Sequence, residues 1–154
     1  MSRLLKKPIL FGLPFSVSIE PTTACNLGCP ECPSGLKQFS RPTGKLDLDV
    51  NKRLLEQLGN QLFYINYYFQ GEPFLHPKFL DLVKDAKKHK IYTSTSTNAH
   101  FITAQKAEEI VKSGLDRLII SIDGTSQETY EQYRIHGTLD KVLKGTEAMV
   151  EAKR

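Results

Sequence analysis

Two hydrophobic periods take turns along this chain. Residues 15–21, FSVSIEP, alternate apolar and polar side chains, which predicts a strand. Residues 46–59 switch to a helical period, with Val50, Leu54, Leu55 and Leu58 on one face. Asp47 or Asp49 suits its N-cap and Gly59 its end. LFYINYYF, residues 62–69, is aromatic and β-branched, hence a second strand. Pro77 suits the first position of a helix to about His89, with Phe79, Leu80, Val83 and Ala86 inward. IYTSTST, residues 91–97, reads as a third strand. Thr103 then opens a helix carrying Ala107, Ile110 and Val111, and Gly114 ends it. RLIISID, residues 117–123, is the fourth strand. Thr125 and Glu128 have the spacing of a capping box for a short helix. A last helix over 139–152 carries Val142, Leu143, Thr146 and Met149.

Strands that alternate with helices predict an α/β fold with a parallel sheet and right-handed crossovers. Each polar, motif-like stretch directly follows a strand: 25–35, 70–73, 97–100 and 121–124. In open α/β sheets and in β/α barrels alike, sites form at the carboxyl ends of strands. Four βα units cannot close an eight-stranded barrel, and EAMVEAKR stops within a helical pattern. The expectation is an N-terminal piece of a longer protein, with residues 1–14 as a lead-in and residues 15–154 as its core domain, truncated at the C-terminus. The lead-in is basic and then apolar, but Pro8, Gly12 and Pro14 interrupt it and no small-residue cleavage site follows. It does not read as a signal peptide.

Composition narrows the function. The 154 residues suit one domain. A net charge of +4 comes from basic residues scattered along the chain, without a stripe that interleaves them with aromatics. That pattern gives no sign of nucleic-acid binding. No apolar run approaches the about 20 residues of a membrane span. All three cysteines, Cys25, Cys29 and Cys32, sit within eight positions. An odd number of closely spaced thiols, without a secretory signal, predicts metal or redox chemistry in a reducing, cytoplasmic setting.

Structural zinc normally takes four ligands. Three thiols would need a histidine, and His76, His89, His100 and His136 all lie off finger spacing. Thiolates also favour iron–sulfur clusters. A 4Fe–4S cluster on three thiolates keeps one iron open to substrate or cofactor. A non-catalytic iron–sulfur or zinc-binding module is the alternative reading.

Cys25-x3-Cys29-x2-Cys32 after a first strand resembles the signature of radical S-adenosylmethionine (radical SAM) enzymes, over roughly residues 15–150. The resemblance implies the first four units of a partial (β/α)6 TIM-like barrel. It implies that Cys25, Cys29 and Cys32 hold a 4Fe–4S cluster whose open iron is chelated by S-adenosylmethionine (AdoMet). In that family the reduced cluster cleaves AdoMet to methionine and a 5′-deoxyadenosyl radical, which abstracts hydrogen from the substrate. The protein positions and shields these groups.

The same resemblance extends to the strand ends. Gln70, Gly71, Glu72 and Pro73 look like the family's Gly-Gly-Glu-Pro motif, with Gln70 replacing the first glycine as in peptide-modifying and SPASM-type relatives. Glu72 would accept a hydrogen bond from the AdoMet ammonium. Thr97 and Asn98 would shape the ribose or substrate side, and Ser121 would contact the methionine or ribose part. Asp123 would order its loop or face the substrate, and Arg134 would pair with the AdoMet carboxylate. A flavodoxin- or ferredoxin-type reductant is implied. The substrate, peptide or small molecule, depends on parts of the fold outside residues 15–150, and the 154-residue chain alone is expected to turn over slowly.

Overall fold

The computed structural model describes residues 2–6, 8 and 12–154. Part of the 1–14 lead-in therefore lies outside the described residues; within it, Ser2–Leu5 forms a short helix, α1. Four parallel strands follow in sheet order β1-β2-β3-β4: Ser16–Ser18, Tyr64–Asn66, Tyr92–Thr97 and Arg117–Ile120. The helices are α2 (Leu48–Leu58), α3 (Phe79–Lys88), α4 (Ala104–Ser113), α5 (Gln127–Tyr133) and α6 (Leu139–Lys153). The order is the predicted alternation of β and α.

One face of the sheet meets the helices. Ile65 and Tyr67 of the β2 segment pack with Leu55, Phe79, Leu82, Val83 and Ala86. A second cluster joins Ala107 and Ile110 of α4, Tyr130 of α5 and Val142 of α6. The other face carries Ser16, Ser18, Tyr64, Asn66 and Tyr92, because side chains alternate along strands. On that face the rings of Tyr64 and Tyr92 stack with centroids 5.4 Å apart.

Local departures from the sequence pattern have local causes. All four strands are shorter than predicted, the third by Ile91 alone. Asp47 caps α2 through the Asp49 N–H, as one of the two candidates. Val50, however, is exposed, and Asn51 is buried in its stead beside Leu55; the Asn51 Oδ1 accepts from the Tyr67 hydroxyl at 2.9 Å. Val111 and Leu143 are also exposed, each one residue past the buried Ile110 and Val142.

Pro77 does not open α3. His76 takes over the start: its Nε2 donates to Leu46 O at 2.8 Å and its Nδ1 accepts from the Lys78 N–H at 3.1 Å. A 3₁₀ turn over Pro73–Leu75, which the sequence did not suggest, precedes it. The capping box of α5 uses Ser126 and Thr129 in place of Thr125 and Glu128. Complete burial of Tyr130 sets that rotation of the helix. Thr103 and Gly114 cap α4 as predicted, Gly114 at φ +80°.

A link between strands and helices was not legible in sequence. Asp116 accepts from Lys87 Nζ at 2.7 Å and from the Thr93 N–H at 2.7 Å. Burial pushes its carboxyl up, but the Lys87 and Thr93 contacts outweigh it and hold the pKa below the usual range. Asp116 thereby ties the start of β4 to β3 and to the end of α3.

Candidate active site

The cysteine loop is a long excursion pinned at its base. Thr22 and Lys45 form an antiparallel bridge, and Leu46 N–H donates to Pro21 O at 2.8 Å. The Thr22 hydroxyl donates to Gly44 O at 2.9 Å. A loop of this length inside a compact fold is usually functional. Its inner turns are short: Cys32 N–H donates to Cys29 O at 3.2 Å and Leu36 N–H to Cys32 O at 2.9 Å. Gly35 is required there, since a Cβ would lie 2.6 Å from Cys29 N. None of the three thiols is in a disulfide.

The loops after β2, β3 and β4 meet the cysteine loop at one cavity of about 240 Å³. Cys25, Cys29, Cys32, Gln70, Gly71, Glu72, Asn98, Ser121 and Arg134 all line it. Two predicted site residues stand apart from the lining. Pro73 is buried at the start of the 3₁₀ turn, and Asp123 pairs with Arg134 from the rim. Residues far apart in sequence thus converge where parallel sheets place their sites.

Gly71 brings its turn against the cysteine loop. Glu72 N–H donates to Ala24 O at 2.8 Å, and a Cβ on Gly71 would lie 2.1 Å from Thr22 O. The Gln70 amide occupies the place a glycine would leave empty. Its Oε1 accepts from the Ser34 hydroxyl at 3.2 Å and lies 3.5 Å from Cys32 Sγ. Ser34 Oγ in turn accepts from the Gly71 N–H at 3.0 Å.

Glu72 is buried and strongly held. Its Oε1 accepts from the Thr97 hydroxyl at 2.8 Å and the Phe74 N–H at 3.2 Å; its Oε2 accepts from the Asn98 N–H at 2.8 Å. A carboxylate offers about four acceptor sites, so one remains on Oε2. Burial pushes the Glu72 pKa up against these bonds, so a cation at that oxygen would be favoured.

Polar donors also face the sulfurs. Asn98 Nδ2 lies 4.0 Å from Cys25 Sγ and donates to Asn26 Oδ1 at 2.8 Å. Arg134 Nη1 lies 3.8 Å from Cys29 Sγ, and Leu27 N–H lies 3.5 Å from Cys25 Sγ. Burial, with Glu72 and the other two thiols nearby, pushes the Cys25 pKa up. Burial draws Arg134 down, but Asp123 and Cys29 more than compensate. Ser96 and Ser121 hydroxyls meet at 3.3 Å. Asn26 and Ser34 were missed in the sequence because isolated polar loop residues carry no periodic signal, and Ser96 because it lies within the polar run of β3.

Three thiols round one cavity are a donor set that fits a thiolate-held iron–sulfur cluster. Among the described residues, no three His, Cys, Asp or Glu side chains converge tightly enough to hold one metal ion. A cube places its irons at separate corners, so its thiolates stand apart round a shared space. The three thiols here line one cavity, and Arg134 Nη1 faces the Cys29 sulfur from its edge.

Residues 19–154 match the radical SAM superfamily. The chain belongs to this superfamily. Members use a 4Fe–4S cluster and AdoMet, and its relatives here are enzymes. The chain is 28% identical over 140 residues to the AdoMet-dependent heme synthase of Methanosarcina barkeri, covering 90% of this chain and 40% of that protein. It is 31% identical over 117 residues to the PqqA peptide cyclase of Bradyrhizobium diazoefficiens, a SPASM-type relative, covering 76% of this chain and 30% of that protein. The solved structure of anSMEcpe with bound AdoMet and Cp18Cys peptide superposes with a TM-score of 0.70 at 26% identity, over 92% of this chain and 41% of that one. The chain thus spans about 30–40% of the length of these curated relatives. Among the described residues, no helix is long and apolar enough to cross a membrane.

Proposed function

We propose that residues 15–154 form the cluster- and AdoMet-binding part of a radical SAM enzyme, led into by residues 1–14. The observation that carries this reading is the single cavity shared by Cys25, Cys29, Cys32, Glu72, Asn98 and Arg134. Cys25, Cys29 and Cys32 hold the 4Fe–4S cluster. Glu72 takes the AdoMet ammonium at its remaining Oε2 site, in the bend that Gln70, Gly71 and Pro73 shape. Arg134 presents its guanidinium to the carboxylate, and Asp123 orients it from the rim. Asn98 and Ser121 border the ribose side. When bound and reduced, the cluster supplies one electron that splits AdoMet into methionine and a 5′-deoxyadenosyl radical able to abstract hydrogen.

The reductant is of the flavodoxin or ferredoxin type, in a reducing cytoplasm that suits three unoxidised thiols. A peptide substrate is supported by a relative that is a peptide cyclase and by a peptide-bound structural neighbour. The likeness to a heme synthase keeps a small-molecule substrate as the second reading.

The full-length protein, reconstituted and reduced under anaerobic conditions, is expected to convert AdoMet to methionine and 5′-deoxyadenosine in equal amounts. A protein that keeps its cluster but forms neither product would overturn the proposal.

A further inference from the structure

His100 lies outside the cavity lining, yet it joins two of the loops that build the cavity. Its Nε2 is 2.8 Å from the backbone nitrogen of Thr138. A peptide N–H only donates, so Nε2 must be the unprotonated nitrogen. The proton therefore sits on Nδ1, which lies 2.9 Å from Asn98 O and 3.1 Å from Asn98 Oδ1. The His100 N–H also points to Asn98 Oδ1, at 3.2 Å.

Two donors on Oδ1 decide which way the Asn98 amide faces. Its Nδ2 must turn to the opposite side, towards Asn26 Oδ1 at 2.8 Å and Cys25 Sγ at 4.0 Å. Ala99, between the two residues, is held at φ +60°, a left-handed conformation that an alanine adopts only when its surroundings demand it. On the other side of His100, Thr138 closes the 134–138 loop. Within that loop Gly137 N–H donates to Arg134 O at 2.7 Å, and Ile135 O accepts from the Gly28 N–H of the cysteine loop at 2.9 Å. The imidazole is thus a strut between the loop carrying Asn98 and the loop carrying Arg134. Burial lowers the His100 pKa, which keeps the ring in the neutral form that the strut needs.

We propose that His100 is a positioning residue that orients the Asn98 amide and fixes the Arg134 loop for AdoMet binding. The role in AdoMet binding rests on the radical SAM reading above; the tautomer does not.

Nitrogen-15 spectra of the metal-free full-length protein, with the His100 signal assigned by its loss in His100→Gln, are expected to show the Nδ1–H tautomer. An Nε2–H tautomer would overturn the strut. In the reconstituted protein, His100→Leu is expected to raise the KM for AdoMet about tenfold, with a smaller change in kcat per cluster. His100→Gln, which can donate to Asn98 and accept from Thr138, is expected to recover most of that loss. His100→Leu that lowers Tm while leaving KM unchanged would overturn the positioning role. If His100→Leu does not fold, His100→Asn against His100→Gln decides: the shorter amide cannot reach Thr138, and equal KM values would contradict the proposal. A wild-type cluster indifferent to AdoMet would instead defeat the radical SAM reading of the cavity, and the tautomer would still judge the strut.

Discussion

Replacing Cys29 by alanine in the full-length protein is expected to abolish the iron–sulfur cluster and with it AdoMet cleavage. Cys29 is 5% exposed, lies under Arg134 Nη1 at 3.8 Å, and shares the cavity with the other two thiols. No fourth cysteine exists in the 154 residues to replace it. Losing an outer-shell partner of a metal site typically costs about 10–100-fold in affinity or activity, and losing one of three ligands should exceed that. Cys25→Ala and Cys32→Ala should behave alike. His76→Gln should keep its iron, because both ring nitrogens are already engaged by Leu46 O and the Lys78 N–H. Iron and sulfide analysis of the purified variants checks this. A Cys29→Ala protein that retains about four irons per chain would remove Cys29 from the ligand set.

The second large effect is expected at Gly71. Gly71→Ala must place a Cβ 2.1 Å from Thr22 O and 2.9 Å from Ala24 O, at a residue whose φ is +80°. Both obstacles are backbone atoms, so no side chain can swing aside. Left-handed strain costs roughly 1–2 kcal/mol and overpacking roughly 1–3 kcal/mol, so a loss of about 2–5 kcal/mol is expected. The turn would also part from the cysteine loop, breaking the Glu72 N–H bond to Ala24 O and displacing Glu72. Gly44→Ala is the control: its Cβ would meet nothing within 4 Å, and φ is not positive. Urea unfolding of the two variants beside the parent measures the difference. Equal midpoints for Gly71→Ala and the parent would show that the two loops are not packed this closely.

The parts legible in the sequence were those with a local signature. The alternation of periods 2 and 3.6 announced the βα order, and Thr103 and Gly114 marked the two ends of α4. The cysteine spacing and the Gly-Glu-Pro bend marked two walls of the cavity. Helix rotation was less legible. Val50 and Asn51 exchange places relative to the pattern, because Tyr67 offers Asn51 a buried hydrogen-bond partner that no window of neighbouring residues reveals. The start of α5 slipped by one residue for a similar reason, the burial of Tyr130. The polar framework of the site was hidden almost entirely. Asn98 meets Asn26 across 72 residues, Gly71 meets Ser34 across 37, and Thr138 meets His100 across 38. Such pairs exist only once the sheet has brought the loops to one edge. Asp123 reads as ordering its loop or facing the substrate; its partner Arg134, eleven residues on, is the part that only the fold reveals.

A cluster in this cavity with one iron open to AdoMet must change its spectrum when AdoMet binds. Electron paramagnetic resonance of the anaerobically reconstituted, reduced full-length protein, recorded with and without AdoMet, tests for that change most directly. A reduced 4Fe–4S signal that shifts when AdoMet is added is the predicted result. A signal that AdoMet leaves unchanged, or a protein that takes up zinc and no iron, would contradict it.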